Sequence, residues 1–93
     1  MPAARATLHE EAIAEARAAR QWYEERSPAA AEAFLQELDH AIAQIEEFPE
    51  GWPPYMVGTR RYILRRFPYS VVYRRRDAAI QVLACAPWNR VSG

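Results

Sequence analysis

The spacing of the apolar residues changes once along this chain, at a segment with three prolines between residues 49 and 54. Before that segment, apolar side chains recur every three or four residues, which is typical of amphipathic helices. From residue 59 onward, large apolar residues alternate with arginines or form β-branched runs, which indicates strands. This change of period predicts an α+β fold, with the helices mainly in the first half and most of the sheet in the second.

Two helices are predicted in the first half, over about residues 10–26 and from Pro28 to about residue 48. Ser27 is a good N-cap and Pro28 is tolerated at the first helical position, so the break between the helices is very short. The second helix carries the clearer apolar stripe, formed by Phe34, Leu38, Ala41, Ile45 and Phe48. A break this short predicts an antiparallel αα-hairpin over about residues 10–48.

Three strands are predicted after the prolines, over about residues 60–67, 70–73 and 80–85. Their connections, at 68–69 and 75–78, are short, so the strands are expected to form a three-stranded antiparallel meander over about residues 59–86. The last strand is apolar enough to be buried and central. The helices are expected to pack on one face of this compact sheet.

The two ends of the chain add less. A short N-terminal strand is predicted over residues 3–8, although its alanines are poor strand formers. Residues 87–93 form a short tail, and the length supports one core, so 1–93 is predicted to be a single domain. No apolar run approaches the roughly 18 residues of a membrane helix, and no signal peptide is evident, so we expect a cytoplasmic protein without a membrane partner.

Charge is distributed very unevenly along the chain, although the formal net charge is zero. Residues 1–50 hold eleven carboxylates and four arginines, a net charge of −7, whereas residues 51–93 hold eight arginines and one aspartate, a net charge of +7. Such asymmetry predicts an acidic or polyanionic partner for the second half. Every basic residue is arginine, whose planar guanidinium offers paired donors to phosphate or carboxylate.

Seven arginines fall within residues 60–76, and they are the main candidates for a binding site. Residues two apart on a strand share a face, so Arg74 and Arg76 are expected to lie on the same face of their strand. The residues predicted to bind a partner or phosphate are Arg60, Arg61, Arg65, Arg66, Arg74, Arg76, Arg90 and the tail residue Trp88. Alternatively, the arginines pair with the acidic helices, and the two interpretations can apply to different arginines.

Metal and cofactor chemistry are not supported by the sequence. His9 and His40 have no neighbour at metal-pair spacing, and Cys85 is the only cysteine, which leaves no Cys-rich zinc site or internal disulfide. There is no glycine-rich phosphate loop among only three glycines. We therefore predict neither a metal nor a cofactor.

Several segments match a known family when they are taken in order. They are Trp22-Tyr23-Glu24-Glu25, Phe34-Leu35-x-Glu37-Leu38, Ile45-x-x-Phe48-Pro49, Arg65-Arg66-Phe67-Pro68-Tyr69-Ser70-Val71-Val72-Tyr73 and Ile80-Gln81-Val82-Leu83-Ala84. Together with the order strand, αα-hairpin and meander, they resemble the RelE/ParE superfamily of type II toxins, the plasmid-stabilisation kind. The resemblance covers roughly residues 7–90.

The resemblance implies a growth-inhibiting toxin that is neutralised by a cognate antitoxin, whose extended C-terminal segment wraps over the toxin. RelE-like members cleave mRNA in the ribosomal A site, using basic side chains on the sheet and a basic or aromatic group near the C-terminus. ParE-like members share the fold and inhibit DNA gyrase instead. A decayed toxin that only binds its antitoxin is a third possibility.

The residues favour the inhibitor over the nuclease. Many nuclease relatives carry His-x-x-Arg after the last strand, whereas this chain has Pro87-Trp88-Asn89-Arg90 and keeps only the arginine. Cleavage through a 2′-hydroxyl needs a proton acceptor, and arginine stays protonated at ordinary pH. A tyrosine would have to serve; the candidates are Tyr62, Tyr69 and Tyr73. We predict a non-catalytic ParE-like gyrase inhibitor, and the alternative is an mRNA endonuclease whose site comprises Arg61, Arg65, Tyr69 and Arg90.

Overall fold

The computed structural model describes residues 5–88. Its elements, in chain order, are β1 Arg5–Leu8, α1 Glu10–Arg26, α2 Pro28–Glu47, β2 Arg60–Ile63, β3 Tyr69–Arg76 and β4 Ala79–Pro87. The four strands form one sheet in the order β1-β4-β3-β2, in which β1 runs parallel to β4 and the other pairs are antiparallel. The predicted α+β fold, with its N-terminal strand, helical hairpin and antiparallel meander, is confirmed.

The two helices begin where the sequence predicts, for identifiable reasons. His9 precedes α1, and its backbone N–H donates to the Val82 carbonyl at 2.9 Å, which ties the start of α1 to β4. Ser27 separates the helices, and its side chain accepts a hydrogen bond from the Ala30 N–H at 3.2 Å. Pro28 then opens α2, where its missing N–H is not needed. Within residues 5–88, neither helix is long and apolar enough to cross a membrane.

The core lies between the helical hairpin and one face of the sheet. The stripe on α2 supplies Phe34, Leu38, Ala41 and Ile45, all of which are buried. Phe48 was predicted in the same stripe but is 54% exposed, because α2 ends at Glu47 and the backbone of the next residue turns away from the helix. The largest fully buried side chain is Tyr73, and its hydroxyl donates to the Pro49 carbonyl at 2.6 Å.

Strand β2 is shorter than predicted, and the physical reason lies on α2. The strand ends at Ile63 instead of residue 67, and Leu64 turns into the core. The backbone N–H groups of Arg65 and Arg66 then donate to one carboxylate oxygen of Glu37 instead of a neighbouring strand. The predicted connection at 68–69 is therefore wrong, because the chain leaves the sheet over residues 64–68.

The β3–β4 hairpin is longer and tighter than predicted. Strand β3 continues to Arg76, so the expected turn at 75–78 is reduced to Asp77 and Ala78. Asp77 has φ 56°, a left-handed conformation that aspartate tolerates better than most residues. A β-bulge lies where the register shifts between Val72 and Tyr73, and Leu83 is the extra residue on β4. Because of this bulge, the core residues of β4 before and after Leu83 both point towards the helices.

Candidate binding surface on the open face of the sheet

The pairing register assigns each arginine of the strands to one face of the sheet. Directly opposed residues share a face, and successive residues alternate between faces. Tyr73 lies in the core beneath the helices, so Arg74 points to the opposite side, as does Arg76 two residues later. Arg61 lies opposite Val72 and shares that side. We call the side of the sheet away from the helices the open face.

Within residues 5–88, the contacts of the three predicted arginines of the open face leave their positive charge unneutralised. Arg74 donates through Nε to the side-chain oxygen of Gln81 at 2.7 Å, which orients the guanidinium without cancelling its charge. The Arg61 guanidinium lies 4.4 Å from the centre of the Tyr55 ring. Arg76 is exposed, and none of the three forms an ion pair within residues 5–88. The open face therefore presents a positive surface suited to an anionic partner.

A fourth arginine of the open face escaped the sequence analysis. Arg5 on β1 lies opposite Ala79, which in turn lies opposite Arg76. The shared register extends the positive surface from the edge strand β2 across the sheet to the other edge, β1. The short alanine-rich sequence around Arg5 does not predict on which face of the sheet this arginine lies, because only the parallel pairing of β1 with β4 determines that face.

Other arginines face the helix side and are already engaged. Arg60 donates from Nη1 to the Trp52 carbonyl at 2.7 Å, and Arg75 forms an ion pair of 3.1 Å with Glu50. Arg66 pairs with Glu37 at 3.2 Å. Arg66 pairs with a carboxylate of α2, as the alternative interpretation expects, whereas Arg60 and Arg75 contact Trp52 and Glu50, which follow that helix.

Glu37 is the central acceptor on the helix side. Burial alone would raise the pKa of its carboxyl, but the backbone hydrogen bonds from Arg66 and Arg65 and the side-chain contacts of Arg66 outweigh burial. The pKa of Glu37 therefore lies below its ordinary value. The carboxylate acts as a structural anchor for the segment that follows β2, a role that the match to a family motif did not reveal.

The structure brings Arg61 and Arg65 of the predicted nuclease site together in one cleft beside β2 and places Tyr69 elsewhere. Arg61 lies on the open face, whereas Tyr69 faces the helix side of β3 opposite Pro87, and Arg65 lies beyond the end of β2. Arg90 lies outside the described residues. Of the other predicted proton acceptors, Tyr62 is buried in the core, and burial raises the pKa of Tyr73 to about 12.

A second feature is an apolar groove of about 460 Å³ between α1 and the ends of β3 and β4. Its lining includes Trp22, Tyr23, Tyr69, Cys85 and Pro87. Burial raises the pKa of the Cys85 thiol to about 11, with a smaller contribution from Glu15, so the thiol stays protonated and unreactive. We call this feature the α1 groove. Trp88, predicted to bind a partner or phosphate, is 43% exposed, and its backbone N–H donates to the carbonyl of the groove residue Pro68 at 3.2 Å.

His40 lies closer to the basic residues than its position in the sequence suggested. It lines a cleft of about 450 Å³ together with Trp52, Arg61 and Arg65, because α2 passes beside the edge strand β2. His9, by contrast, precedes α1 as its N-cap residue. Within residues 5–88 no three His, Cys, Asp or Glu side chains gather as metal ligands would.

The fold and the open face together define a small α+β protein with a basic surface on its sheet. The sequence model described as the ParE toxin of the type II toxin–antitoxin system parDE matches residues 6–85, and the chain belongs to this family. It is thus the toxin component of such a pair, and the family implies a cognate antitoxin as its partner.

Comparison with solved structures supports the same fold. A chain of the chromosomal ParDE toxin–antitoxin system from P. aeruginosa superimposes with a TM-score of 0.79 at 21% sequence identity. The alignment covers 91% of this chain and 95% of that one. A search of curated protein sequences finds no match.

Proposed function

We propose that this toxin acts by binding rather than by catalysis, as a ParE-like inhibitor of DNA gyrase, and that the open face contacts the target. The observation that carries the proposal is the set of arginines on that face. Arg5, Arg61, Arg74 and Arg76 share it without an ion-pair partner among the described residues. A target with negative charge, such as gyrase engaged with DNA, is complementary to this surface.

The chemistry of the open face favours binding over cutting. By register, the strand residues that accompany the arginines there are aliphatic, hydroxyl or amide residues, such as Ile63, Ser70, Val72 and Gln81. Arginine can stabilise phosphate charge but remains protonated, so it cannot take the proton from a 2′-hydroxyl at neutral pH. A face with this composition can hold a polyanion and supplies no general base from its strands.

The cognate antitoxin is proposed to bind two features of the toxin. The α1 groove offers a mostly apolar concave surface, which suits apolar side chains of an extended segment or helix. The hairpin from Arg61 to Tyr73 offers positive charge for acidic residues of the same segment. Occupation of the hairpin would compete with the target, which explains how binding neutralises the toxin. Both partners are proposed to act in the cytoplasm.

A second candidate function, ribosome-dependent mRNA cleavage, is favoured by one observation. His40 lines the same cleft as Arg61 and Arg65, so the cleft combines an imidazole with two arginines, a residue type that binds phosphate. An imidazole is an effective general base near neutral pH. The cleft lies beside β2 and shares Arg61 with the open face, so the two functions would use adjoining surfaces.

The two functions are separated by two measurements on the wild-type protein. Purified toxin is added to gyrase with plasmid DNA, and in parallel to a translating extract with a defined mRNA. The proposal predicts inhibited supercoiling or accumulated DNA breaks with intact mRNA. Cleaved mRNA with unaffected gyrase would contradict the proposal and favour the nuclease, and a His40→Ala variant would then be expected to lose cleavage.

A further inference from the structure

The segment before β2 forms a small hairpin that projects from the edge of the sheet. The Arg61 N–H donates to the Pro53 carbonyl at 3.0 Å, and the Tyr55 N–H donates to the Thr59 carbonyl at the same distance. The Thr59 N–H closes the tip on the Met56 carbonyl at 2.8 Å. We call residues 53–61 the finger. Each of these bonds holds its backbone in a defined shape, so the finger is a built element rather than a loose loop.

The tip of the finger is a four-residue turn, 56–59, that fixes which side chains point outward. Gly58 has φ 76°, the value that the third residue of a type II turn requires, and Val57 before it has a negative φ. The Thr59 hydroxyl adds a second hydrogen bond to the Met56 carbonyl at 2.8 Å. A turn of this type displays its second residue at the apex.

The residues displayed at the tip are apolar and strongly exposed. Tyr55 is 45% exposed, Met56 62% and Val57 completely so. Single exposed apolar residues are ordinary on a protein surface, but consecutive ones at the apex of an ordered turn form a contact surface that water does not favour. Methionine, which is adaptable in shape, is well suited to a partner's pocket.

The finger is continuous with the open face. Tyr55, next to the tip, stacks against the guanidinium of Arg61, whose side chain belongs to the open face. A partner that covers the arginines would therefore meet the finger at the edge of the same contact. The combination is a convex apolar tip beside a positive surface.

We propose that the finger inserts into an apolar pocket with an acidic rim on the folded protein that this toxin inhibits. The inference rests on the proposed function, because it assigns the target's contact to this side of the molecule. A convex tip needs a concave partner, which a folded protein provides and an extended antitoxin segment does not. The acidic rim follows from charge complementarity with Arg61 beside Tyr55.

The test uses charged substitutions at the tip and a matched one on the exposed side of α2. Val57→Asp and Met56→Asp each place a carboxylate where the pocket is apolar, and Ala43→Asp places one at an exposed position of α2, outside the finger and the open face. All four proteins, including wild type, are measured for inhibition of gyrase, inhibition of growth and affinity for the cognate antitoxin. Thermal unfolding verifies that each variant folds.

The proposal predicts that each tip variant inhibits gyrase and growth at least about tenfold less well, because one central interface contact is lost. The affinity for the antitoxin should be unchanged. Ala43→Asp is expected to resemble wild type in all three measurements. Full inhibition by both tip variants would overturn the proposal, and so would a loss of antitoxin affinity that matches the loss of inhibition.

A failure of the proposed function gives a different pattern. If the wild-type toxin arrests growth without inhibiting gyrase, the gyrase assignment fails. The finger is then judged by growth inhibition alone. Tip variants that lose toxicity while still binding antitoxin would support insertion into a different target protein, and tip variants as toxic as Ala43→Asp would overturn it.

Discussion

Two faces of one strand carry the same kind of side chain and use it differently. On β3, Arg74 and Arg76 point to the open face, whereas Arg75 between them points to the helix side and pairs with Glu50. On β2 the same division separates Arg61 from Arg60, which donates to the Trp52 carbonyl. An arginine cluster in a sequence is therefore two sets, one engaged within the chain and one available for a partner.

This division follows from the alternation of a strand and from where the chain keeps its acceptors. Glu37, Glu50 and the Trp52 carbonyl all lie on the helix side or at its rim, so arginines directed there find a partner. Among residues 5–88, no carboxylate forms an ion pair with an arginine of the open face. We therefore expect changes on the helix side to lower the stability of the fold and changes on the open face to weaken binding of the target.

The largest effect is expected from the core of the helix side. Phe34 is fully buried and its ring packs against Tyr23, Phe67 and Tyr69. Phe34→Ala is expected to lower the free energy of unfolding by about 3–5 kcal/mol, the usual cost of an aromatic cavity, as measured by chemical denaturation. Phe48→Ala makes the same change at an exposed position and is expected to cost less than about 1 kcal/mol. Equal losses of unfolding free energy in the two variants would contradict the assignment of the stabilising core to the helix side of the sheet.

A smaller effect is expected from the anchor on α2. Glu37→Ala leaves the N–H groups of Arg65 and Arg66 without their acceptor, which should cost about 1–3 kcal/mol of unfolding free energy. Asp39→Ala removes an exposed carboxylate two residues along the same helix and serves as the control, with an expected change within about 0.5 kcal/mol. If the two variants are equally stable, Glu37 does not anchor this segment.

The same carboxylate predicts a pH dependence. The pKa of Glu37 is lower in the folded protein than its ordinary value of about 4.3, so its contribution is fully present above that value. The contribution is lost as the pH falls through the lower folded pKa. The difference in unfolding free energy between wild type and Glu37→Ala should therefore shrink on acidification below about pH 4. A difference that stays constant down to pH 2 would argue against a charged acceptor.

The smallest effect is expected from the engaged arginine of β3. The ion pair of Arg75 with Glu50 is well exposed on both side chains, and exposed pairs contribute about 0–1 kcal/mol. Arg75→Ala should change the free energy of unfolding by less than about 1 kcal/mol and leave inhibition of the target unchanged. A marked loss of inhibition would place Arg75 in the binding surface and break the division between the faces.

The sequence predicts the elements whose bounds depend on neighbouring residues, but not those whose bounds depend on residues far away in the chain. The two helices follow from apolar spacing, the Ser27 cap and Pro28, and the structure has them at 10–26 and 28–47. The alternation rule also gave Arg74 and Arg76 a common face. The end of β2 could not be predicted in this way, because it depends on Glu37, which lies 28 residues away from Arg65 in the chain.

The candidate site shows the same limit. Eight residues were proposed as one binding set, and the structure distributes the described ones over the open face, the helix side and the rim of the α1 groove. Arg5 joins the open face only through parallel pairing with β4, and His40 shares a cleft with Arg65 only because the fold brings residues of α2 and β2 to one cleft. Both are products of tertiary packing, so neither leaves a pattern in the sequence.

The most direct test of the division compares adjacent arginines of one strand in one assay. The double variant Arg74→Ala with Arg76→Ala and the single variant Arg75→Ala are titrated against gyrase supercoiling at two salt concentrations. The account predicts that the double variant needs at least about tenfold more toxin for half-inhibition and shows a weaker salt dependence, since two open-face charges are gone. Arg75→Ala should match wild type. Equal inhibition by all three proteins would contradict the claim that the open face binds the target.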